Sequence, residues 1–148
     1  MATGTVKVHE QLETADFTEK LLLPEPPFDL VVSNFYCFKS FLTSGTFVKH
    51  LSPNLEIMLV FNFGEPVRFS FGSEPFTDLK VEKYALIAPL KKMLNYEVLP
   101  GTDLIAVNFR LNGFHRLFDI HLKFPDDFKH TSSGWIGKDT KVEELITS

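Results

Sequence analysis

Hydrophobic and polar residues alternate over several short segments of the chain, and this period of two is typical of half-buried β-strands. Clusters of turn-forming residues lie between these segments, among them Ser52-Pro53-Asn54, Gly64-Glu65-Pro66 and Pro100-Gly101. Many short strands without helical crossovers predict an all-β fold, an antiparallel barrel or sandwich that is mainly β with a short C-terminal helix. We predict strands over residues 30–38, 46–51, 55–63, 67–71, 81–88, 93–98 and 103–110.

Two of the predicted strands show which faces they bury. The strand over 55–63 is apolar on both faces at its middle, with Leu59 on one face and Val60 on the other, which predicts a central strand. In the strand over 103–110, Ile105, Val107 and Phe109 share one face. If that face packs in the core, the opposite face is exposed to solvent or lines the mouth of a barrel. The residues of this opposite face are Leu104, Ala106, Asn108 and Arg110.

The two ends of the chain depart from the alternating pattern. Residues 1–27 show no sustained period and end in a proline-rich segment, so we predict an N-terminal arm, followed by a barrel domain over 28–138. Thr140 and Glu143 have the spacing of a helix-capping box, and apolar residues then recur at helical spacing. We therefore predict that residues 139–148 start a linker helix that continues in a longer protein.

Composition and charge narrow the classes of protein. The length of 148 residues is the usual size of one domain, and the 16 phenylalanines predict a broad dry interior. A net charge of -4 with scattered lysines and arginines predicts no nucleic-acid binding by this segment. The single cysteine, Cys37, excludes an internal disulfide, and no apolar run is long enough to cross a membrane. We therefore expect a cytoplasmic protein that does not contact a membrane.

The residues that carry chemistry point to binding and not to catalysis. The five histidines have no spacing that would put two imidazoles on one metal, and no nucleophile or phosphate-binding motif is present. We therefore expect no metal, no cofactor and no catalytic residue, so that the protein is not an enzyme. Polar or amphipathic residues within apolar strands are the better candidates for a site, with ordinary sheet or strand-end positions as the alternative. The candidate ligand-binding residues are Tyr36, Asn62, Tyr84, Asn108 and Arg110.

Four segments of the chain resemble a known family in their order and spacing. In the segment 51–66, a proline-containing loop leads into a strand that ends in Phe61-Asn62-Phe63-Gly64-Glu65-Pro66. This resembles the first conserved block of one branch of the AraC-type transcription regulators, in which the strand ends in Phe-Asn-x-Gly-x-Pro. The segments that resemble later blocks of the N-terminal region of that family are 85–90, 96–110 and 112–118. Two turn positions differ, because Ala88 and Asn112 stand where relatives often have Gly and Pro.

The resemblance implies a cupin-like β-barrel that senses a small-molecule effector or forms a homodimer. DNA binding would then reside in two helix-turn-helix units of a C-terminal domain that this chain does not contain. Two other classes of protein remain open from the sequence. One is a small cupin enzyme, with or without a metal, and the other is a stand-alone carrier of an apolar ligand, which the phenylalanine content favours.

Overall fold

The computed structural model describes residues 6–52, 56–76, 80–87, 92–110, 113, 129–130 and 135–137. Within these residues the chain forms antiparallel β-strands, since β-branched and aromatic residues favour the extended backbone and turn residues end the strands. One short 3-10 helix, Phe28–Leu30, precedes the third strand. The strands of this described part are β1 (Val6–Glu13), β2 (Phe17–Pro24), β3 (Val32–Ser40), β4 (Phe47–Leu51), β5 (Ile57–Asn62), β6 (Val67–Phe71), β7 (Lys80–Val81), β8 (Tyr84–Ile87), β9 (Leu94–Val98), β10 (Asp103–Phe109), β11 (Lys129–His130) and β12 (Trp135–Gly137).

The described strands form two sheets that pack face to face as a sandwich. The larger sheet has eight strands in the order β1-β2-β3-β10-β5-β8-β12-β11, and the smaller has four strands in the order β4-β9-β6-β7. The main core lies between the sheets and draws residues from both of them. From the larger sheet it includes Phe38, Val60, Ile87 and Leu104, and from the smaller sheet Val67, Phe71, Leu94, Tyr96 and Val98. This all-antiparallel arrangement confirms the predicted all-β fold class.

The larger sheet is apolar on its outer face as well. A second cluster of buried residues lies there, formed by Val32, Ile57, Leu59, Leu86 and Phe109. Strand β5 contributes to both clusters, because Met58 and Val60 point into the main core while Ile57 and Leu59 point outward. It pairs with β10 on one side and β8 on the other. The prediction of a central strand over 55–63 is therefore confirmed.

The N-terminal segment, which the sequence predicted as an arm without a sustained period, contains two regular strands. Strands β1 and β2 pair as a hairpin, and β2 continues the sheet by pairing with β3 from Phe17↔Ser40 to Leu22↔Phe35. The ring of Phe17 stacks on that of the core residue Phe38, with centroids 5.2 Å apart. Alternation was hard to see in this segment because two inward positions are occupied by glutamates, and a bulge near Val8 shifts the phase of β1.

Both faces of β10 are apolar, whereas the sequence left one face to solvent or to a barrel mouth if the other packed in the core. Leu104 and Ala106, on the face expected to be exposed or at a barrel mouth, are 3% and 1% exposed and belong to the main core. Ile105 and Val107 are only half-buried. The reason is the position of β10 between β3 and β5, where both faces of a strand carry apolar residues.

The sequence predicted no strand after residue 110, whereas β12 pairs with β8 through Ile136↔Ile87 and Gly137↔Leu86. The predicted linker helix at 139–148 lies outside the described residues. The boundaries of the arm, the barrel domain and the linker stay predictions. Among the described residues, no helix is long and apolar enough to cross a membrane.

Candidate functional site

A cleft of about 550 Å³ opens along the β1–β2 hairpin. The strand register places Glu10 opposite Leu21 and Leu12 opposite Glu19, while Leu21 is also opposite Tyr36 of β3. Cross-strand partners share a face, so these side chains all lie on the face of the larger sheet that is turned toward the smaller one. The volume is in the range of small-molecule sites. The residues lining the cleft are Glu10, Gln11, Leu12, Glu19, Lys20, Leu21 and Tyr36.

A chain of polar contacts at the cleft connects the two sheets. Tyr36 donates its hydroxyl hydrogen to Oε2 of Glu19, and the Nζ atom of Lys49 lies 3.1 Å from the same oxygen. The hydroxyl oxygens of Tyr36 and Tyr96 are 2.7 Å apart. Because the proton of Tyr36 goes to the carboxylate, Tyr96 is the donor to Tyr36. Lys49 and Tyr96 lie opposite each other on β4 and β9 of the smaller sheet.

The hydroxyls of Tyr36 and Tyr96 stay protonated at neutral pH. Burial raises the pKa of Tyr36 far above its ordinary value, and the neighbouring Tyr96 and Glu19 raise it further. Burial also raises the pKa of Tyr96 far above its ordinary value. A neutral phenol that is fully engaged in hydrogen bonds is a poor base or nucleophile. Neither phenol is therefore placed to act as a base or a nucleophile.

Two asparagines continue the polar surface on the same inward face. Asn34 is two residues from Tyr36 on β3, and its Oδ1 accepts a hydrogen bond of 2.7 Å from Nδ2 of Asn108. Asn108 is 6% exposed, and its own Oδ1 has no hydrogen-bond partner within the described part of the chain. Buried polar atoms are nearly always hydrogen-bonded. Asn108 therefore leaves one buried acceptor on the inner face of the larger sheet.

Asn62, another candidate from the sequence, has a role in the backbone fold. Its Nδ2 donates to the carbonyl oxygens of Glu65 and Val81, at 2.8 Å and 3.0 Å, and its Oδ1 accepts from the amide of Gly64 at 3.0 Å. These contacts satisfy the side chain completely apart from one acceptor lone pair. Asn62 holds the turn after β5 and does not line the cleft.

The last two candidates lie away from the cleft. Tyr84 is half-buried on the outer face of the larger sheet, where its ring meets that of Phe61 edge to face at 5.6 Å. Arg110 follows β10 and donates from Nε to the carbonyl oxygen of Asp29 at 2.5 Å. The five residues chosen from the sequence therefore do not form one site. Only Tyr36 lines the cleft, and Asn108 lies further along the same face.

Sequence reasoning missed the charged residues of the cleft. Glu10 and Glu19 belong to the segment that the sequence predicts as an N-terminal arm, and Lys49 reaches Glu19 only because the two sheets face each other. The signal that could have found the hairpin is the alternation Phe17-Thr18-Glu19-Lys20-Leu21, read with glutamate as an inward residue. No sequence signal pairs Lys49 with Glu19.

No group of three or more histidine, cysteine, aspartate or glutamate side chains is placed to hold a metal ion within the residues that the structure describes. His50 contacts Asn95, with 2.6 Å between Nδ1 and the side-chain oxygen. Cys37 is half-buried on the outer face, and burial raises the pKa of its thiol, while the charge of Lys20 opposes this rise.

Comparison with known proteins identifies the fold. No family model and no curated protein matches the chain. Among solved structures, two variants of oxalate decarboxylase from Bacillus subtilis each superpose with a TM-score of 0.50 at 10% sequence identity. Each match covers 94% of this chain and 43% of the oxalate decarboxylase chain, so this chain spans less than half of that length. At this identity the likeness shows the fold alone, and that fold is a cupin-like β-sandwich.

Proposed function

We propose that this chain is the effector-sensing domain of an AraC-type transcription regulator, and that the effector binds in the cleft along the β1–β2 hairpin. DNA binding would reside in a further helix-turn-helix domain. The sensing domain would also form a homodimer. Support comes from the four ordered segments that resemble the family, the cupin-like fold and the cleft. The proposal assigns the cleft to binding and not to a reaction.

The observation that carries the proposal is the polar chain from Glu19 through Tyr36 to Tyr96, with Lys49 on the same carboxylate. It joins the hairpin of the larger sheet to β4 and β9 of the smaller sheet. A ligand that contacts Glu19 competes with Lys49 for the carboxylate and so changes how the hairpin is held. An effector shifts an equilibrium only through such a difference in contacts between two states.

The test is a screen of the purified chain against neutral, cationic and anionic small molecules, read by the thermal unfolding midpoint. A ligand of the cleft is expected to raise the midpoint, and Tyr36→Phe is expected to weaken its binding at least fivefold. Tyr84→Phe is the matched control, because it removes the same hydroxyl group from the outer face and should leave binding unchanged. Equal effects of the two variants would contradict a site at the cleft.

Analysis of the same purified protein distinguishes the sensor from a cupin enzyme and from a carrier of an apolar ligand. A stoichiometric transition metal together with turnover of a substrate would overturn the sensor in favour of a cupin enzyme. An apolar molecule that co-purifies in equal amount would favour a carrier. A reading frame that continues beyond codon 148 for about a hundred residues with two helix-turn-helix patterns is the result expected for a regulator.

A further inference from the structure

We propose that the ligand of the cleft is a small organic cation, whose ammonium group binds between Glu10 and Glu19 while a short apolar chain packs on Leu12 and Leu21. This inference rests on the proposed function, since it names the chemical class of ligand for the same cleft. Three observations carry it: the two carboxylates of the cleft, the hydrogen-bond donors of its tyrosines, which are already used, and the ammonium group of Lys49, which the fold holds against Glu19.

The inward face of the hairpin carries two carboxylates close together. Leu12 is opposite Glu19 and Glu10 is opposite Leu21, so the two glutamates are diagonal neighbours on one face, with backbone positions about 7–8 Å apart. Glu10 forms no ion pair or hydrogen bond with any described residue. A cation placed between the two side chains would therefore contact the carboxylate of Glu10, which has no partner among the described residues, and the Oε1 atom of Glu19, which is not used by Tyr36 or Lys49.

Among the described residues, no lysine neutralises Glu10, and only Lys49 of β4 pairs with Glu19. Lys20 is among the residues that line the cleft, but it is opposite Cys37, so its side chain points to the other face of the sheet, where its charge acts on the Cys37 thiol. Lys7 lines a separate pocket near Arg110 and makes no ion pair with Glu10. Lys49 is paired with Glu19. An anionic ligand would consequently be repelled by Glu10.

The hydrogen-bond donors of the tyrosine pair are already used. The Tyr36 proton goes to Glu19 and the Tyr96 proton goes to Tyr36, so neither hydroxyl has a hydrogen left for a ligand. Among the side chains on the inward face, the groups that remain are acceptors, namely Oε1 of Glu19, the carboxylate of Glu10 and, further along that face, the unpartnered Oδ1 of Asn108. A ligand must therefore bring the donors, and charge-assisted N–H donors bind carboxylates most strongly.

Lys49 shows that the fold accommodates an ammonium group beside Glu19. Its Nζ atom lies 3.1 Å from Oε2 of Glu19 and 4.9 Å from the centroid of the Phe17 ring. A carboxylate together with an aromatic face is a favourable environment for an alkylammonium ion. The apolar part of a ligand would cover Leu12, which is 48% exposed, and the half-buried Leu21 beside it.

The test compares three compounds of equal chain length by NMR titration of the ¹⁵N-labelled chain at pH 7: hexylammonium chloride, 1-hexanol and sodium hexanoate. Hexylammonium is expected to shift the amide resonances of residues 10–12 and 19–21, and the shifts are expected to reach a plateau as its concentration rises. Hexanol is expected to bind at least tenfold more weakly, and hexanoate is expected to cause no saturable shift. Glu10→Gln should weaken hexylammonium binding at least fivefold. Glu13→Gln makes the same charge change on the opposite face of β1 and should change the affinity less than twofold.

The outcomes separate this inference from the proposed function. If hexanol or hexanoate binds the cleft as tightly as hexylammonium, or if Glu10→Gln and Glu13→Gln act equally, the cationic class is overturned. The sensor proposal still stands in that case, provided that a compound of another class shifts the cleft resonances and loses affinity in Tyr36→Phe. If no compound of any class shifts those resonances, both proposals are overturned.

Discussion

Asn62 shows how one polar side chain can be required within an apolar strand. It lies at the end of β5, is 9% exposed and makes three hydrogen bonds, all to backbone atoms. These contacts satisfy the carbonyl oxygens of Glu65 and Val81 and the amide of Gly64, which lie where the chain leaves the sheet. Asn62, which the sequence suggested as a ligand contact, therefore stabilises the turn after β5.

We predict that Asn62→Ala lowers the free energy of unfolding by about 1–3 kcal/mol, because it leaves buried backbone groups without partners. Urea unfolding measures the change. Phe63→Ala is the control in the same turn, since Phe63 is 65% exposed, and it should change stability by less than about 0.5 kcal/mol. An Asn62→Ala protein of unchanged stability that no longer binds the cleft ligand would show that this assignment is wrong.

The candidate site could be predicted only in part at the scale of single residues. Tyr36 was found because a tyrosine within an apolar strand stands out by type. Glu19 was missed because a glutamate in a weakly alternating segment is expected to face solvent. Lys49 reaches Glu19 across the space between two sheets, and no local pattern encodes that distance.

At the scale of elements, two turns are packed against each other at one end of the sandwich. The amide of Phe63 donates to the carbonyl oxygen of Asp103 at 2.8 Å, and that of Glu65 donates to the carbonyl oxygen of Gly101 at 3.2 Å. A Cβ atom on Gly64 would lie 2.0 Å from the Gly101 oxygen, which is closer than any side chain permits. This close approach gives a physical reason for the Asn-x-Gly part of the motif that resembles the AraC-type family.

We expect Gly64→Ala to destabilise the fold by about 1–3 kcal/mol or more, because the backbones of the two turns must move apart to admit a methyl group. Gly45→Ala is the matched control. Gly45 has a positive φ of 79° but nothing within 4 Å of an added Cβ, so only the backbone strain of about 1–2 kcal/mol applies. Thermal and urea unfolding of both variants check this order. A smaller loss for Gly64→Ala than for Gly45→Ala would contradict the packing argument.

The sequence predicted most strands between residues 30 and 110 because their alternation is strong and their turns contain proline or glycine. The strand over 67–71 coincides with β6. The β1–β2 hairpin was not predicted, since inward glutamates and a bulge interrupt its period. Strands β11 and β12 are two and three residues long, which is too short for any period to be visible.

At the scale of the whole molecule, the Tyr36–Tyr96 hydrogen bond joins the two sheets inside the core. Tyr36 is on β3 of the larger sheet and Tyr96 is on β9 of the smaller one. The ring of Tyr96 also meets Phe38 edge to face at 5.6 Å. Since both phenols are buried, an ionised tyrosine at this place would put a negative charge beside Glu19 in an apolar interior. The cohesion of the sandwich therefore depends on both hydroxyls staying protonated.

We therefore predict that the folded state becomes less stable as the pH rises above 10. In the unfolded chain tyrosine ionises near its ordinary pKa of 10.0, whereas in the folded protein the pKa of Tyr36 and Tyr96 is raised. Above pH 10 the folded state therefore holds more protons than the unfolded state. The contribution of these two groups to the free energy of unfolding is constant below pH 10 and falls above it. The slope is about 1.4 kcal/mol per pH unit for each of the two tyrosines.

Urea unfolding between pH 8 and pH 11.5, in a Cys37→Ser background, measures this slope. The background is needed because burial also raises the pKa of the Cys37 thiol, which would add a loss of stability in the same direction. Tyr96→Phe removes one of the two ionising groups while the Tyr36 hydroxyl keeps its contact with Glu19, so the slope above pH 10 should fall by about half. An unchanged slope in this variant would mean that the protonated tyrosine pair does not hold the two sheets together. The proposed connection between the hairpin and the smaller sheet would then be wrong.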